Sequence, residues 1–567
     1  MESNLPIFRI MTFKILARRL WPYGLVLIAG LVALIPAIIS GIPAGHDLPS
    51  HLRFAIPFYN AIQAGTFHPG WLADANGGFG DPAIRFYPPG LYYLLAATRV
   101  LTGSWYSGIL LGFVLLSVLG AIGAYFWARC FLPQNIAVVA GVLYAFVPYR
   151  INEFYGASLL AEYAAASVLP FSFAFALRVC RGPHIRNVAG LAISFALLVL
   201  SNLPVAIIGS LSLLFYALLS IEKKTFWRSV VTLALAVAVG LAASAFYWTT
   251  MIAELSWLKN TTIMPNSDMT SYLDYRRNFV FSPFTLGNTN SWLASMLTLA
   301  TLAMAFAPLA VLFSPYRKKL SRGVKSVFAL FGFSLFMATD LSRPLWFVIP
   351  KLNELQFPWR WLVVSSAAVP LLTAASIPFW KEQMRGKFRW LAIIALGATL
   401  GSLAYSFARI RDANYLHRFE FDSANNSVQT QSTHDHWLPV WVNERPPPIP
   451  NKVEAKERII EINSWEPEVR TFWIGPGPAQ EIRARTFYYP RWVAKAAGVT
   501  LPTRADYYGG LLISVPAEPT SVSLQFQEPR RARIALVVSM SAWLLVFLCL
   551  IYGYVRSPVR PEATPAE

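Results

Sequence analysis

The sequence predicts an all-α polytopic membrane protein of about twelve transmembrane helices, with a small extracytoplasmic β-rich domain between the last two spans. Composition is the first observation behind this prediction, because 55% of the 567 residues are hydrophobic and 14% are charged. The second is a mean hydropathy of +0.46, which suits a chain with an apolar exterior in lipid. The third is a long polar stretch near the end of the chain whose short alternating runs are typical of strands.

The predicted spans come from a length requirement. A helix that crosses the hydrocarbon core needs about 20 mostly apolar residues, because each residue rises about 1.5 Å through a layer of about 30 Å. The segments that approach this length lie at residues 22 to 43, 104 to 128, 135 to 149, 160 to 178, 187 to 202, 204 to 221, 227 to 250, 291 to 313, 325 to 340, 359 to 380, 389 to 407 and 533 to 555.

Basic residues predict the orientation of these spans. Lys and Arg collect in alternate short connections, as the positive-inside tendency requires; they include Arg9, Lys14, Arg18, Arg19, Arg129, Arg178, Arg181, Arg186, Lys223, Lys224, Arg228, Arg317, Lys318, Lys319, Arg322, Lys325, Lys381, Arg385, Lys387, Arg389, Arg556 and Arg560. Both termini are therefore expected in the cytoplasm. This distribution also argues against nucleic acid as a partner, although the net charge is +19.

Two polar stretches fall on the outer side. The first outer loop covers residues 44 to 89, and the second stretch contains GLLISV at 510 to 515 and SVSLQF at 521 to 526, which predict strands. The expected organisation is a transmembrane domain over 1 to 408, a β-rich domain over 409 to 532, and a final helix with a cytoplasmic tail over 533 to 567. The apolar run from Leu91 to Leu101 is too short to cross.

The first outer loop opens with GHDLPSH, which places Asp47 and His51 four residues apart. On a helix both side chains would share one face, as a base with its orienting imidazole or as two ligands of a divalent metal. Alternatively, Asp47 caps the N-terminus of a helix whose early positions contain Pro49. The two functions are compatible.

Other polar residues are also predicted on the outer side. Arg150 and Arg360 stand at outer helix ends against the positive-inside tendency, so an anion should compensate them, and guanidinium groups suit phosphate. Glu162 enters an apolar span, where an ionisable group normally faces a cavity or a partner. Further candidates for substrate binding are His46, His51, Asp81, Arg85, Asn152 and Glu153.

Several motifs together resemble a known family. They are GHDLPSH, FGDPAIRFYPPGLYYL, LYAFVPYRINEFYGASLLAEYAAASVLPFSF, LSNLPVA and LQFPWRWL. In this order they resemble the bacterial 6-pyruvoyl-tetrahydropterin synthase-related membrane proteins, which are similar to the GT-C superfamily of membrane glycosyltransferases. The chain departs from the family pattern at Asn202, where His is frequent.

The resemblance implies a polyprenyl-phosphate-linked sugar as donor and an active site at the outer leaflet of the bacterial inner membrane. It also implies an acid in the first outer loop that acts as base, which maps to Asp47 by position. Arg150 and Arg360 would hold the lipid phosphate, and Glu162 and His51 would border the acceptor or an ion. The expected partners are membrane lipid, this donor, and a glycan, lipid or protein acceptor. The requirement for a divalent metal stays open.

The leading interpretation is thus an inverting transferase, and two other classes stay open. A multi-span transporter would also have about twelve spans and buried acids, although such proteins place ionisable residues near the midplane between repeats. A noncatalytic envelope assembly or scaffold protein would use the outer β-rich domain for binding. Substitution of Asp47 by Asn separates chemistry from scaffolding.

Overall fold

The computed structural model describes residues 20–259, 274–283, 288–386, 388–428 and 435–556. The predicted fold class is confirmed, since the chain is mostly helical and carries a β-rich region before its last long helix. Both termini lie outside the described residues, as do Arg9, Lys14, Arg18, Arg19, Lys387 and Arg560. The cytoplasmic location of the termini therefore stays a prediction.

The helices follow the apolar segments of the sequence. In chain order they are α1 (Leu20–Val32), α2 (Ile35–Ser40), α3 (Leu48–Gln63), α4 (Ala83–Phe86), α5 (Gly90–Thr102), α6 (Trp105–Ala128), α7 (Gln134–Ala145), α8 (Pro148–Ile151), α9 (Leu160–Arg181), α10 (Ile185–Ser201), α11 (Leu203–Ser220), α12 (Phe226–Ala243), α13 (Ala245–Glu254), α14 (Thr289–Leu312), α15 (Arg322–Ala338), α16 (Arg343–Val348), α17 (Leu362–Gln383), α18 (Arg389–Arg411), α19 (Arg418–Val428) and α20 (Arg530–Arg556). A π-helical turn at Asn152–Gly156 follows α8, and a 3₁₀ helix at Pro358–Trp361 precedes α17.

Within the described ranges, nine helical segments are long and apolar enough to cross a membrane. The three remaining predicted segments have shorter helices. The first is divided into α1 and α2 by a turn at 33–34, and the other two correspond to α10 and α15, each of 17 residues. The number of spans therefore stays a prediction.

Burial separates inner helices from peripheral ones. Of the 18 most apolar consecutive residues of each helix, 83% are buried in α9 and in the segment Pro358–Gln383 that contains α17. The buried share is 22% in α12, α18 and α20. The peripheral helices expose large aliphatic side chains such as Ile394 and Leu396 of α18 and Leu544 of α20. An apolar exterior of this kind is stable in lipid and costly in water.

The β-rich region contains two antiparallel sheets. Its strands are β3 (Val453–Glu454), β4 (Ile460–Trp465), β5 (Val469–Ile474), β6 (Gln480–Phe487), β7 (Trp492–Ala496), β8 (Val499–Leu501), β9 (Thr503–Ala505), β10 (Gly510–Val515) and β11 (Thr520–Phe526), after the short pair β1 (Ile42–Pro43) and β2 (Tyr415–Leu416). The sheet orders are β3-β6-β10-β9 and β4-β5-β11-β7-β8. The strands predicted at 510 to 515 and 521 to 526 are thus confirmed as β10 and β11.

The first outer loop packs into the core of this β-rich region. Trp71 lies edge-on to Trp492 with ring centroids 5.6 Å apart, and Phe79 stacks on Phe487 at 5.2 Å. Gly80 has a φ of +72°, and a Cβ at this position would lie 2.2 Å from Nε1 of Trp71. A side chain is therefore excluded there on both counts. The loop is therefore part of the β-rich core and connects the β-rich region to the helical region.

Candidate functional site

A cavity of about 610 Å³ lies where the start of α3, the turn after α8, the first turns of α14 and residues 356–360 meet. Its polar lining consists of His46, Asp47, Ser50, His51, Arg53, Tyr87, Tyr149, Asn152, Asn290, Gln356, Arg360 and His436. Its apolar lining consists of Phe54, Ala157, Leu159, Leu293, Ala294, Leu297, Phe357, Trp359 and Trp437. Polar groups converging beside an apolar wall are typical of a ligand site.

Asp47 stands at the N-cap position of α3, yet its side chain accepts no capping hydrogen bond from that helix. The alternative that this carboxylate is only a cap is therefore wrong for this structure. The side chain is 39% exposed, and its Oδ1 lies 3.3 Å from Nε2 of His46. Asp47 thus has a carboxylate available at the cavity.

The backbone around Asp47 is fixed by the turn that precedes α9. The amide of Gly45 donates to Oγ of Ser158 at 2.9 Å, and this hydroxyl donates to the carbonyl of Pro43 at 3.0 Å. The amide of Asp47 donates to the carbonyl of Ala157 at 3.3 Å. A Cβ on Gly45 would lie 2.3 Å from the carbonyl carbon of Ala157. Glycine at this position allows the close approach that positions Asp47.

His51 follows on the same helix and is 4% exposed. Its Nδ1 lies 3.2 Å from the hydroxyl of Tyr92. Burial lowers the pKa of His51 to about 4, although the neighbouring Asp47 acts in the opposite direction. The imidazole is therefore neutral near pH 7 and adds no charge beside Asp47.

This pKa predicts a pH dependence of stability. The folded state binds the His51 proton more weakly than the unfolded state, where the ordinary value of 6.5 applies, so the free energy of unfolding should fall as pH drops from 6.5 to 4. The slope is at most about 1.4 kcal/mol per pH unit for one proton. Chemical unfolding of the wild type and of His51→Gln in detergent measures it. An equal slope in the variant would show that another group is responsible.

Arg360 approaches the cavity from the 3₁₀ helix before α17. Its Nε donates to Oε2 of Glu162 at 3.2 Å, and its Nη1 donates to the carbonyl of Leu355 at 3.0 Å. The guanidinium also lies 4.8 Å from the ring centroid of Phe357. No described residue accepts a hydrogen bond from Nη2. This side chain is thus held in place and keeps one donor nitrogen for a ligand.

Glu162 orients Arg360 from below the cavity. Its side chain is 2% exposed, and the hydroxyl of Tyr149 donates to Oε1 at 2.6 Å. Each carboxylate oxygen therefore has a partner, one neutral and one cationic. Glu162 does not line the cavity itself but lies behind Arg360 and accepts a hydrogen bond from its guanidinium.

The neighbouring candidates lie in different surroundings. Arg150 is 1% exposed, donates to Oγ of Ser167 at 2.8 Å and lies 3.9 Å from the ring centroid of Tyr163. Arg150 does not line the cavity. Asn152 does line it, with Oδ1 accepting from Nη2 of Arg409 at 3.0 Å, whereas Glu153 is buried and neither of its carboxylate oxygens has a partner among the described residues.

Asp81 and Arg85 are also outside the cavity lining. Asp81 accepts hydrogen bonds from the side chain of Asn76 and the amide of Ala83. Arg85 is fully buried, pairs with Glu254 at 2.7 Å and also contacts Glu528. The contacts of Asp81 thus lie within the first outer loop, whereas those of Arg85 join this loop to α13 and to the end of the β-rich region.

Glu254 is the centre of this interfacial cluster. Besides Arg85, it accepts from Arg491 at 2.7 Å and from the hydroxyl of Tyr489 at 2.9 Å, and Arg531 lies 3.4 Å away. Burial alone would raise the pKa of Glu254, but Arg85 and Arg491 lower it below the ordinary value. A buried ionised carboxylate therefore ties α13 to the β-rich region. Arg491 has this buried carboxylate as its partner.

Residues 84–409 match the model of a family described as 6-pyruvoyl-tetrahydropterin synthase related domain, membrane protein. The match covers more than half of the chain. The chain belongs to this family. Membership confirms the resemblance predicted from the motifs and shows that the chain is a membrane protein. The matched range of this 6-pyruvoyl-tetrahydropterin synthase-related protein contains Glu162 and Arg360, whereas Asp47 precedes it.

The fold of this family member is similar to that of solved glycosyltransferases of the GT-C superfamily. An oligosaccharyltransferase from Archaeoglobus fulgidus has a TM-score of 0.44 and 13% identity, over 74% of this chain and 61% of that one. Arabinofuranosyltransferase AftD from Mycobacteria has a TM-score of 0.44 and 17% identity, over 69% of this chain and 27% of that one. ArnT from Cupriavidus metallidurans bound to undecaprenyl phosphate has a TM-score of 0.42 and 14% identity, over 73% of this chain and 77% of that one. No curated protein matches the sequence.

A divalent metal at Asp47 would need further ligands. No group of three or more His, Cys, Asp or Glu side chains suited to a metal occurs in the part of the chain that the structure describes. His46 and Asp47 are close together, but His51 is directed to Tyr92. Among the described residues of this 6-pyruvoyl-tetrahydropterin synthase-related protein, His46 and Asp47 therefore do not complete a protein cage for a metal.

Sequence reasoning missed several residues of the cavity. Ser50 lies three residues after Asp47 and Arg53 three residues after Ser50, a helical spacing that could have identified them. Gln356 has a φ of +62°, which is strained for a residue other than glycine. Tyr87 and His436 come from distant segments, so no local pattern could have placed them at this site.

Proposed function

We propose that this protein is a membrane glycosyltransferase that moves a sugar from a polyprenyl-phosphate-linked donor to an acceptor outside the cytoplasm. The observation that carries the proposal is that Asp47 and Arg360 line one cavity beside an apolar wall from α14. A carboxylate suits deprotonation of an acceptor, a guanidinium suits a phosphate, and an apolar wall suits a lipid chain.

The reaction assigns one role to each charged group. The hydroxyl oxygen of the acceptor attacks the anomeric carbon of the donor sugar, and the bond from this carbon to the phosphate oxygen breaks. The acceptor proton passes to the carboxylate of Asp47, and polyprenyl phosphate departs with the bonding electrons. Attack opposite the leaving group inverts the anomeric centre.

Departure of the phosphate requires stabilisation of negative charge. Arg360 is suited to this because Glu162 and the carbonyl of Leu355 hold its guanidinium before a ligand arrives. A fixed cation in a site with little water lowers the barrier without reorganisation. The role of lipid phosphate ligand, predicted for both Arg150 and Arg360, is thus proposed for Arg360.

The cellular setting follows from the chemistry proposed. A polyprenyl-linked donor stays in the bilayer, so the catalyst should lie at the interface of the bacterial inner membrane. Basic connections predict that Asp47 faces outward. The acceptor would be an envelope glycan, lipid or protein, and the β-rich region packed on the first outer loop is available to bind it.

Substitution of Arg360 tests the phosphate assignment. Arg360→Gln is expected to weaken binding of undecaprenyl phosphate by about 10- to 100-fold, because one charge-assisted contact and its net charge are lost. The dissociation constant is measured by native mass spectrometry of the full chain in detergent. Arg343→Gln is the matched control, since this arginine is 40% exposed and pairs with Asp340 away from the cavity.

Unchanged binding in Arg360→Gln would contradict the assignment. Equal weakening in Arg343→Gln would also contradict it, because a general loss of positive charge would then explain the effect. A panel of undecaprenyl-phosphate-linked hexoses and pentoses, offered with bacterial envelope fractions as acceptors, tests the transfer itself. Facilitated movement of a sugar across proteoliposomes without any new glycosidic bond would favour a transporter.

A further inference from the structure

A second cavity lies at the other end of the helical bundle. It has a volume of about 850 Å³ and is formed by α6, α9, α10 and the last turns of α20. Arg178 at this cavity and Glu162 behind the first cavity stand near opposite ends of α9, which separates them by about 24 Å. The two cavities are therefore distinct sites near opposite faces of the membrane.

One end of the second cavity is strongly basic. Arg178, Arg186 and Arg556 line it together with His184, and its lining contains no Asp or Glu. None of the three arginines forms an ion pair with an acid of the described chain. Instead, each guanidinium lies over an aromatic ring. The distance to the ring centroid is 3.9 Å from Arg178 to Phe126, 5.7 Å from Arg186 to Tyr554 and 4.9 Å from Arg556 to Tyr552. Positive charge is thus concentrated here without an internal counter-ion.

The start of α10 adds to this positive potential. His184 is the N-cap residue of α10, a helix of 17 residues, and its side chain makes no capping hydrogen bond. The N-terminus of a helix carries partial positive charge and free amide groups, which favour an anion. Nε of Arg186, two residues later, is buried without a hydrogen-bond partner in the described ranges.

The other end of the cavity is apolar. Val168, Phe171, Ile193, Leu197 and Leu119 line it. Leu197 stands ten residues after Asn187 on α10, so the apolar end extends about 15 Å from the basic end along the helix. A free phosphate would use only the basic end. A molecule with an anionic head and hydrocarbon chains matches both.

We propose that this cavity binds an anionic glycerophospholipid, with its phosphate at Arg178 and Arg186 and its acyl chains along α6, α9 and α10. Charge complementarity and the amphipathic lining of the cavity support this occupant. The positive-inside prediction places this end of the bundle in the cytoplasmic leaflet, where anionic headgroups attract basic clusters. The lipid would fill the groove that separates α20 from α9.

The test compares lipid binding to full-length protein in detergent by native mass spectrometry. Wild-type protein is expected to bind phosphatidylglycerol at least about tenfold more tightly than phosphatidylcholine, and the double variant Arg178→Gln/Arg186→Gln should lose this preference. The matched control is Lys223→Gln/Lys224→Gln, which removes the same charge from exposed positions outside the cavity. The control should bind as the wild type does.

A second variant tests the proposal with all arginines present. Ile193→Trp fills the apolar end and should also reduce phosphatidylglycerol binding by about tenfold, so a folding defect from loss of the arginines cannot explain both results. Circular dichroism and size-exclusion chromatography check the fold of each variant. Inorganic phosphate at millimolar concentration should not displace the lipid.

Four results would overturn the proposal. Three of them are equal binding of both lipids to the wild type, equal loss of binding in the lysine control, and displacement of the lipid by inorganic phosphate. The first two would indicate general attraction of lipid to a basic surface, and the third would indicate a phosphate site without a lipid component. Unchanged binding in Ile193→Trp would also contradict the assignment of the acyl chains. Every outcome is independent of sugar transfer.

Discussion

Asp47→Asn is expected to lower kcat for sugar transfer by about 10²- to 10⁴-fold, because asparagine cannot accept the acceptor proton. The carboxylate is 39% exposed at the cavity and makes no helix-capping hydrogen bond, so stability should change by less than about 0.5 kcal/mol. The dissociation constant for undecaprenyl phosphate should stay near the wild-type value, since Arg360 is intact. Transfer from the donor that the wild type uses is the measurement.

Asp412→Asn is the matched control for this variant. Asp412 pairs with Arg411 on an exposed helix end and does not line the cavity, so its kcat should equal that of the wild type. Unaltered kcat in Asp47→Asn would exclude Asp47 as the base, whereas absence of any transfer by the wild type would favour a noncatalytic scaffold. A rise in the dissociation constant for undecaprenyl phosphate with unaltered kcat would instead place Asp47 in donor binding.

Glu254→Gln is expected to reduce the free energy of unfolding by about 3 kcal/mol, because the substitution removes the negative charge that pairs with the arginines of this cluster. In the wild type, Glu254 neutralises Arg85 and Arg491 at distances of 2.7 Å. Without this charge, Glu528 remains as a partner of Arg85, and Arg491 keeps only a neutral amide. Urea unfolding of the full chain in mild detergent, followed by tryptophan fluorescence, measures the loss.

A surface acid provides the comparison. Glu481→Gln removes a charge from β6 where its partner Arg504 is exposed, and its stability should stay close to that of the wild type. The pKa of Glu254 is lowered from the ordinary value of 4.5, so its contribution should be full above that pH and be lost as pH falls through the folded pKa. Equal stability of Glu254→Gln and Glu481→Gln would show that the cluster does not hold the two regions together.

Local patterns predicted the elements of this fold because their causes are local. Apolar length identifies α6, α9 and α14, and alternation identifies β10 and β11, since one face of each strand is buried. The division of the first apolar run into α1 and α2 was not predicted, because hydropathy does not register Pro36 in the first turn of α2 as a helix break.

The part of the candidate site that was predicted also depends on local patterns in the sequence. His46, Asp47 and His51 share one short motif, and the structure places all three at the cavity. Arg360 was identified from its charge at an outer helix end. Arg150 carries the same signal but is surrounded by Tyr144, Tyr163 and Ser167. Sequence position cannot distinguish a guanidinium packed on tyrosines from one that reaches a cavity.

By itself, the sequence determined that the chain belongs in a membrane and which motifs mark the family. These properties depend on composition, helical length and residue order, which can be read directly from the amino-acid sequence. Tertiary structure alone decided that Arg85 joins Glu254 and Glu528, and that Gln356, His436 and Tyr87 meet Asp47. Such contacts join segments tens to hundreds of residues apart, and their energies come from burial and close charge pairing that exist only in the folded chain.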